Sequence, residues 1–134
     1  MEKAIAATAL RAFCELVKID HVVFKFQVYR VLLGISHEKS NQFTNHTQCR
    51  LGKWYYEGEG RASFSKFPGY SEIDAPHVQV HDHALRALTA HEGGQHALVT
   101  SHVEKMESAS LEVMAGLEKM AASNEAHSDI LCAT

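Results

Sequence analysis

This sequence has few prolines, no long apolar run and no excess of basic residues. No apolar run reaches the roughly 18 residues that a membrane-spanning helix takes, so we expect no membrane insertion. The formal charge of −3 gives no reason to expect nucleic acid as a partner. The start of the chain lacks the apolar stretch of a signal peptide, so a cytoplasmic protein is the expectation. Only two prolines interrupt the chain, which favours long helices.

Cysteine is sparse as well. The chain has three cysteines, Cys14, Cys49 and Cys132, and this odd number argues against a disulfide framework. Histidine, in contrast, is abundant, with ten residues. Because one zinc ion takes only about four ligands, spacing has to separate candidate ligands from the other histidines.

The apolar residues recur at three- and four-residue steps, which predicts helices. A long first helix is expected over Glu2–Leu33, before Gly34, and a short one over Cys49–Glu57. A third helix begins near Asp74, which can cap it, and a fourth runs over about Gln95–Ser123. These elements predict an all-α fold, an antiparallel four-helix bundle whose short helix carries Cys49.

We expect a single domain over residues 1–134, with its core at about residues 10–122. The first helix is long for a small domain, so its first turns, with Leu10 and Phe13, are expected to overhang the core. This overhang fits either the continuation of an upstream coiled coil or a dimer contact. The polar tail from Asn124 is expected to fray, and residues 61–74 to form an ordered loop pinned by aromatic rings.

Two histidines and one cysteine stand out by their spacing. His77 and His81 are four residues apart on one predicted helix, so both rings project from the same face. Cys49 opens the segment Cys-Arg-Leu-Gly-Lys-Trp, in which Gly52 allows close approach to a neighbouring helix. His21 borders an apolar face of the first helix and is a fourth candidate. Each alone is as typical of a packed core residue, but together they make the ligand set of a closed zinc site.

The other cysteines and histidines carry weaker signals. Cys14, beside Phe13 and Leu16, is expected to be a buried free thiol, and Cys132 an exposed one. The remaining histidines are interpreted as surface or solvated residues, or have no distinguishing context: His37, His46, His83, His91, His96, His102 and His127.

The order of the candidate ligands resembles the chemoreceptor zinc-binding (CZB) domain family. The similarity lies in Lys-Ile-Asp-His21-Val-Val-Phe-Lys, in Cys49-Arg-Leu-Gly-Lys-Trp-Tyr-Tyr-Glu-Gly-Glu-Gly60 and in Pro76-His77-x-x-x-His81. It covers about residues 10–122, and residues 103–114 resemble the last helix of receptor-borne members. Phe24 departs from the family pattern, where tryptophan is common three positions after the first histidine. We expect this difference to affect packing more than ligation.

The resemblance implies one zinc ion per chain, held by His21, Cys49, His77 and His81. It also implies a homodimeric sensory domain of bacterial signal transduction, of the chemotaxis receptor type. The output domain would belong to a chemoreceptor in the same or another chain. Cys49, held as a thiolate, is implied as the redox-reactive residue that senses hypochlorous acid.

Other functions stay open on the sequence. A zinc-level sensor that regulates a diguanylate cyclase or another output protein would use the same ligands, as would a purely structural zinc clip. A zinc metalloprotease helix would have glutamate after His77, but Val78 stands there, so we expect no enzyme and no catalytic residue. A di-iron bundle would need several bridging carboxylates, and a thiolate ligand favours zinc over such a centre.

Overall fold

The computed structural model describes the backbone of residues 2–132 and the side chains of residue 2 and of residues 4–126. Its long helices are α1 (Glu2–Leu32), α3 (Asp74–Glu92) and α4 (His96–Cys132), and the short helix α2 spans Arg50–Tyr56. A 3-10 turn (Ser40–Gln42) and a π-helical turn (Gly60–Phe64) lie in the connections. No strand occurs in the described residues, so the predicted all-α class is confirmed. The positions expected for the Cys132 and His127 side chains lie outside the described residues.

Ion pairs show that α1 and α4 are antiparallel. Arg11 pairs with Glu125 at 2.5 Å, whereas Lys25, about four turns further along α1, pairs with Glu107 at 3.1 Å. Rising residue numbers on α1 therefore meet falling numbers on α4. The turn at residues 93–95 joins α3 and α4 into an antiparallel hairpin, in which Gly94 has a φ of +69°. The predicted bundle is confirmed, with α1 and α3 pointing the same way.

The last helix is longer than its apolar pattern predicts. α4 continues past Ser123, the predicted end of the fourth helix, to Cys132, and fraying of the tail from Asn124 stays a prediction. The extra turns lie against the start of α1, where Leu10 is 3% exposed and Arg11 binds Glu125. Leu10, which was expected in the overhang of α1, belongs to the core cluster, so the overhang does not include it.

The connection between α2 and α3 is held by stacked aromatic rings, as predicted. The rings of Tyr55 and Tyr70 stack with centroids 4.1 Å apart, and each hydroxyl donates to the other residue's carbonyl, at 2.9 and 2.5 Å. Trp54 stacks on Phe13 of α1 at 4.6 Å and on Phe64 at 6.0 Å. The segment is more regular than predicted, because a π-helical turn forms at Gly60–Phe64. Trp54 packs so closely that a Cβ at position 60 would lie 2.5 Å from its ring.

The start of α3 differs in one detail from the prediction. Asp74 is the first residue of the helix and does not cap it, because Ile73 takes the cap position. The Asp74 carboxylate instead accepts a hydrogen bond from the hydroxyl of Tyr56, the last residue of α2. This bond ties α2 to the beginning of α3.

The core lies between the three long helices, and α2 packs beside the middle of α1, where Trp54 stacks on Phe13 and Arg50 approaches Asp20. Its fully buried members include Val17, Val28, Leu51, Ile73, Val80, Leu88, Met106, Val113, Leu117 and Met120. Burial of large aliphatic side chains supplies the main stabilising free energy of such a bundle. Within residues 2–132, no helix is both long enough and apolar enough to cross a lipid bilayer.

Candidate metal centre

Four side chains from three elements meet beside the core. His21 of α1, Cys49 before α2, and His77 and His81 of α3 place one ligating atom each within 4.8 Å of all the others. The three histidines are 3%, 1% and 4% exposed, and the cysteine is half-buried. The four candidate ligands proposed from the sequence therefore lie together in the folded chain.

Helix α3 supplies two of the four side chains. His77 and His81 lie one turn apart, and their ring centroids are 5.0 Å apart with an angle of 85° between the planes. The His21 ring stands edge-on to both, at 5.0 Å from His77 and 5.7 Å from His81. Three imidazoles at nearly right angles can point their lone pairs at one centre without stacking on each other.

Backbone carbonyls fix the orientation of two of the rings. His21 donates its Nδ1–H to the carbonyl of Val17 at 2.8 Å, and His81 donates its Nδ1–H to the carbonyl of Thr44 at 2.9 Å. This tautomer leaves the Nε2 lone pair of each ring facing the cluster. Both Nε2 atoms are buried and have no hydrogen-bond partner among the described residues. A metal ion would satisfy both nitrogens, and a carbonyl behind each ring is the usual support of a ligating histidine.

Cys49 stands at the N-terminal cap position of α2. Its Sγ accepts a hydrogen bond from the backbone N–H of Gly52 at 3.5 Å and lies 3.2 Å from Nε2 of His77. Backbone N–H groups at the start of a helix favour negative charge, so this position suits a thiolate.

Gly52 is needed for a different contact from the one predicted. A Cβ at this position would lie 1.8 Å from the carbonyl oxygen of His46, so the close approach is to the preceding loop and not to a neighbouring helix. The same carbonyl lies 3.6 Å from Sγ of Cys49. The absent side chain thus lets the loop fold back against the cysteine.

Burial keeps the histidines neutral, as metal ligands must be. Burial and the neighbouring imidazoles of His21 and His81 lower the pKa of His77 to about 2. Burial also lowers the pKa of His81 to about 4, although the hydrogen bond to Thr44 opposes this shift. The pKa of His21 is lowered for the same reason. These nitrogens therefore offer free lone pairs throughout the neutral pH range.

Burial raises the pKa of both described thiols, but their surroundings differ. The pKa of Cys49 is raised by burial, and the N–H groups of Gly52 and Leu51 oppose the shift. Cys14 is fully buried in the core, as predicted, and burial raises its pKa to about 11. Of these two cysteines only Cys49 lies with other metal-ligating side chains.

The donor set fits zinc. Three imidazole nitrogens and one thiolate are typical ligands of a four-coordinate zinc site, and four protein ligands leave no position open for a reactive water. The thiolate argues against magnesium and calcium, which prefer oxygen ligands.

A solvent groove of about 280 Å³ reaches the cluster between α1 and α2, and its lining includes His21, Cys49 and His81. Asp20 and Arg50 also line this groove and approach each other to 3.3 Å. Asp20 thus pairs with the residue after Cys49 and not with His21. Cys49, which is half-buried, thus lies in the wall of a groove that opens to solvent.

Some contacts of the cluster were missed in the sequence. His46, expected to be solvated, is half-buried, with its ring edge-on to His77 at 6.1 Å and to Tyr56 at 5.8 Å. Thr44 contributes through its backbone carbonyl. Any residue type could supply this group, so the sequence does not indicate that position 44 supports the cluster. Phe24, where the family pattern favours tryptophan, packs against the His81 ring at 4.5 Å, in line with a role in packing.

The chain was compared with known proteins in three ways. The model of the chemoreceptor zinc-binding domain family matches residues 21–88, a stretch that contains all four clustered side chains. No curated protein and no solved structure matches the chain. The match covers half of the chain, and it begins at His21 and ends just after the α3 ligands. The chain belongs to the chemoreceptor zinc-binding domain family.

Proposed function

We propose that this chain is a zinc-dependent sensory domain of a bacterial chemotaxis receptor that responds to hypochlorous acid through Cys49. The observation that carries the proposal is the position of this residue. Its sulfur completes a set of buried imidazoles, yet it is half-buried beside a solvent groove. A purely structural zinc ligand has no need of such access.

In the proposed site, His21, Cys49, His77 and His81 hold one zinc ion per chain. Zinc supplies positive charge that keeps the cysteine deprotonated although burial raises the pKa of its thiol. The ligands come from α1, the start of α2 and α3, so their common attachment fixes these elements relative to each other. Loss of any one ligand would therefore change the positions of α1, α2 and α3 relative to each other.

The proposed signal is oxidation of the thiolate. Hypochlorous acid transfers its oxygen to the Cys49 sulfur, which becomes a sulfenic acid, and chloride leaves with the electron pair. The sulfur loses two electrons and the chlorine gains them. A sulfenic acid is a weaker ligand than a thiolate, so the start of α2 is released from α1 and α3. Thiol reductants restore the thiolate and close the cycle.

We also propose that the domain works as a homodimer through an apolar stripe on α1. This α1 stripe follows alternating four- and three-residue steps and consists of Ile5, Ala9, Ala12, Leu16, Ile19, Val23 and Phe26. All of its members are exposed, Ile19 by 60% and Phe26 by 62%. A seven-residue repeat of exposed apolar side chains is typical of a coiled-coil seam.

The stripe differs from the residues first expected to make a dimer contact or to continue a receptor coiled coil. Leu10 is buried, and Phe13 stacks on Trp54. The α1 stripe lies on another face of the same helix. Because His21 is also on α1, a change at the metal centre could reach a partner chain or a receptor output domain along this helix.

Metal analysis before and after brief treatment with hypochlorous acid tests the proposal. We expect one zinc per chain in the purified protein, its release on oxidation, and its return after reduction and addition of zinc. Mass spectrometry should place the first added oxygen on Cys49. A Cys14→Ala variant should respond as the wild type does, because Cys14 is fully buried.

Other outcomes would select another function. Zinc that stays bound, with Cys49 unoxidised, would exclude oxidant sensing. Reversible zinc exchange at cellular zinc levels would then indicate a zinc-level sensor, for example one that regulates a diguanylate cyclase, and zinc that never exchanges would indicate a structural clip. A protein without zinc would disprove the ligand assignment as well.

A further inference from the structure

A second pair of histidines connects α3 to α4. Nδ1 of His83 lies 3.0 Å from Nδ1 of His102, and the rings stack with centroids 5.2 Å apart and 28° between their planes. Both side chains are half-buried. At this distance one ring donates its Nδ1–H to the other. The two nitrogens therefore face each other between the helices, although the sequence had suggested that neither histidine has a partner.

This pair is separate from the four-residue cluster. His83 follows His81 by two residues, which places it roughly 200° further round α3. His81 accordingly faces α1, where it contacts His21, whereas His83 faces α4. Neither member of the second pair belongs to the first set of ligating atoms.

We propose that His83 and His102 form a second metal site, which binds copper(II) or nickel(II). A metal ion at about 2.0–2.1 Å from both nitrogens, which lie 3.0 Å apart, would see them at an angle of about 90°. Neighbouring ligands of square-planar and octahedral ions subtend this angle, and nitrogen–oxygen sites of such geometry favour copper(II) or nickel(II). The tetrahedral geometry of zinc would require the two nitrogens to move apart.

Binding needs a change of tautomer and a rotation of each ring, because the hydrogen bond points the two nitrogens at each other and a shared metal ion lies to one side of the line between them. The ring that donates its Nδ1–H would carry the proton on Nε2 instead, so both Nδ1 lone pairs become free while each imidazole stays neutral. No third protein ligand joins the pair in the described part of the chain, so water fills the other positions. The nearby carboxylate of Asp82 is already paired with Arg86 at 2.9 Å. Metal binding would link α3 to α4 and stabilise the folded state.

Titration of the zinc-loaded protein with nickel(II) chloride tests the site. We expect the wild type to reach two metal ions per chain, one zinc and one nickel, by calorimetry and elemental analysis. His83→Gln and His102→Gln should each keep the zinc and lose the nickel. His96→Gln, at an exposed histidine of α4, is the matched control and should keep both metals.

Nickel binding that survives in both the His83→Gln and the His102→Gln variants would disprove the site, as would nickel gained only at the expense of zinc. Proton NMR of the zinc-loaded wild type gives a second test that does not depend on variants folding. Nickel(II) with two imidazoles and water in its other positions is octahedral and paramagnetic, so it should broaden the ring resonances of His83 and His102 first. Broadening that starts at other histidines would contradict the proposal. Zinc content is measured separately, so failure of this site is distinguishable from failure of the proposed zinc function.

Discussion

His81 donates its Nδ1–H to the carbonyl of Thr44 at 2.9 Å, and this bond ties α3 to the loop that leads into Cys49. The loop is thus anchored to α3 five residues before it presents the sulfur. Because the bond also selects the tautomer of His81, one contact positions two of the four candidate ligands. The geometry of the site therefore depends on the fold of the loop as well as on the helices.

Replacement of Cys49 should weaken zinc binding far more than replacement of Cys14. Four ligands share a binding free energy of roughly 10–16 kcal/mol in structural zinc sites, so loss of one costs about 3 kcal/mol, or more than a hundredfold in affinity. Competition with a zinc chelator measures this for Cys49→Ala. Cys14→Ala should leave zinc affinity unchanged and lower the free energy of unfolding by about 1 kcal/mol, because it opens a small cavity in the core. Equal zinc affinity in the two variants would show that the ligand assignment is wrong.

A methyl group at position 52 should disturb the metal centre without touching a ligand. The new Cβ of Gly52→Ala would lie 1.8 Å from the carbonyl oxygen of His46, so the loop must move away from α2. We expect the free energy of unfolding to fall by about 3 kcal/mol and zinc affinity to fall with it.

Gly93→Ala is the matched control for this substitution. A Cβ at position 93 meets nothing closer than 3.7 Å, and its φ of −90° suits alanine, so stability should change by less than about 1 kcal/mol. Chemical denaturation of the zinc-loaded proteins measures both variants. A Gly52→Ala protein as stable as the control would mean that the loop can shift freely, contrary to the contact described.

The ligand set could be predicted from the sequence because the candidates occur together in the order of the chemoreceptor zinc-binding family, although each alone is as typical of a packed core residue. His77 and His81 share a helix face, and Cys49 precedes a glycine within an apolar segment. The orientation of these side chains could not be predicted, since it depends on carbonyl groups such as that of Thr44, which leave no trace in side-chain identity.

The fold was predicted where apolar periodicity is strong and missed where it is weak. The extension of α4 past Ser123 has no sustained apolar repeat, and its ion pair between Glu125 and Arg11 joins residues that are far apart in sequence. The contact between His83 and His102 was missed for a similar reason. It joins two helices, so neither spacing nor periodicity within one helix could reveal it.

The zinc-free protein should lose stability as the pH falls from 7 to 5. Burial lowers the pKa of His81 to about 4 and that of His77 to about 2 in the folded state. Below about pH 6.5 the unfolded chain binds protons that the folded chain does not, so the free energy of unfolding decreases. Each of these histidines should contribute about 2 kcal/mol of this loss by pH 5.

Thermal melting of chelator-treated protein at both pH values measures the effect. His81→Gln should show a smaller difference between pH 7 and pH 5 than the wild type, because it lacks one buried imidazole. His96→Gln, at an exposed position, should keep the full difference. A wild-type melting temperature that does not depend on pH over this range would mean that the imidazoles are not buried in the zinc-free state.

A negative charge on the α1 stripe should separate the proposed dimer into monomers. Phe26 is 62% exposed, and glutamate in its place would put a charge into an apolar seam, at a cost of about 2–4 kcal/mol per dimer. Sedimentation equilibrium should show a dimer for the wild type and a monomer for Phe26→Glu at the same concentration.

Leu111→Glu is the matched control, because Leu111 is 71% exposed on α4, outside the stripe, and this variant should remain dimeric. If the Leu111 variant dissociates and the Phe26 variant does not, the dimer forms through α4. Both variants should retain one zinc per chain, since neither residue belongs to the metal centre.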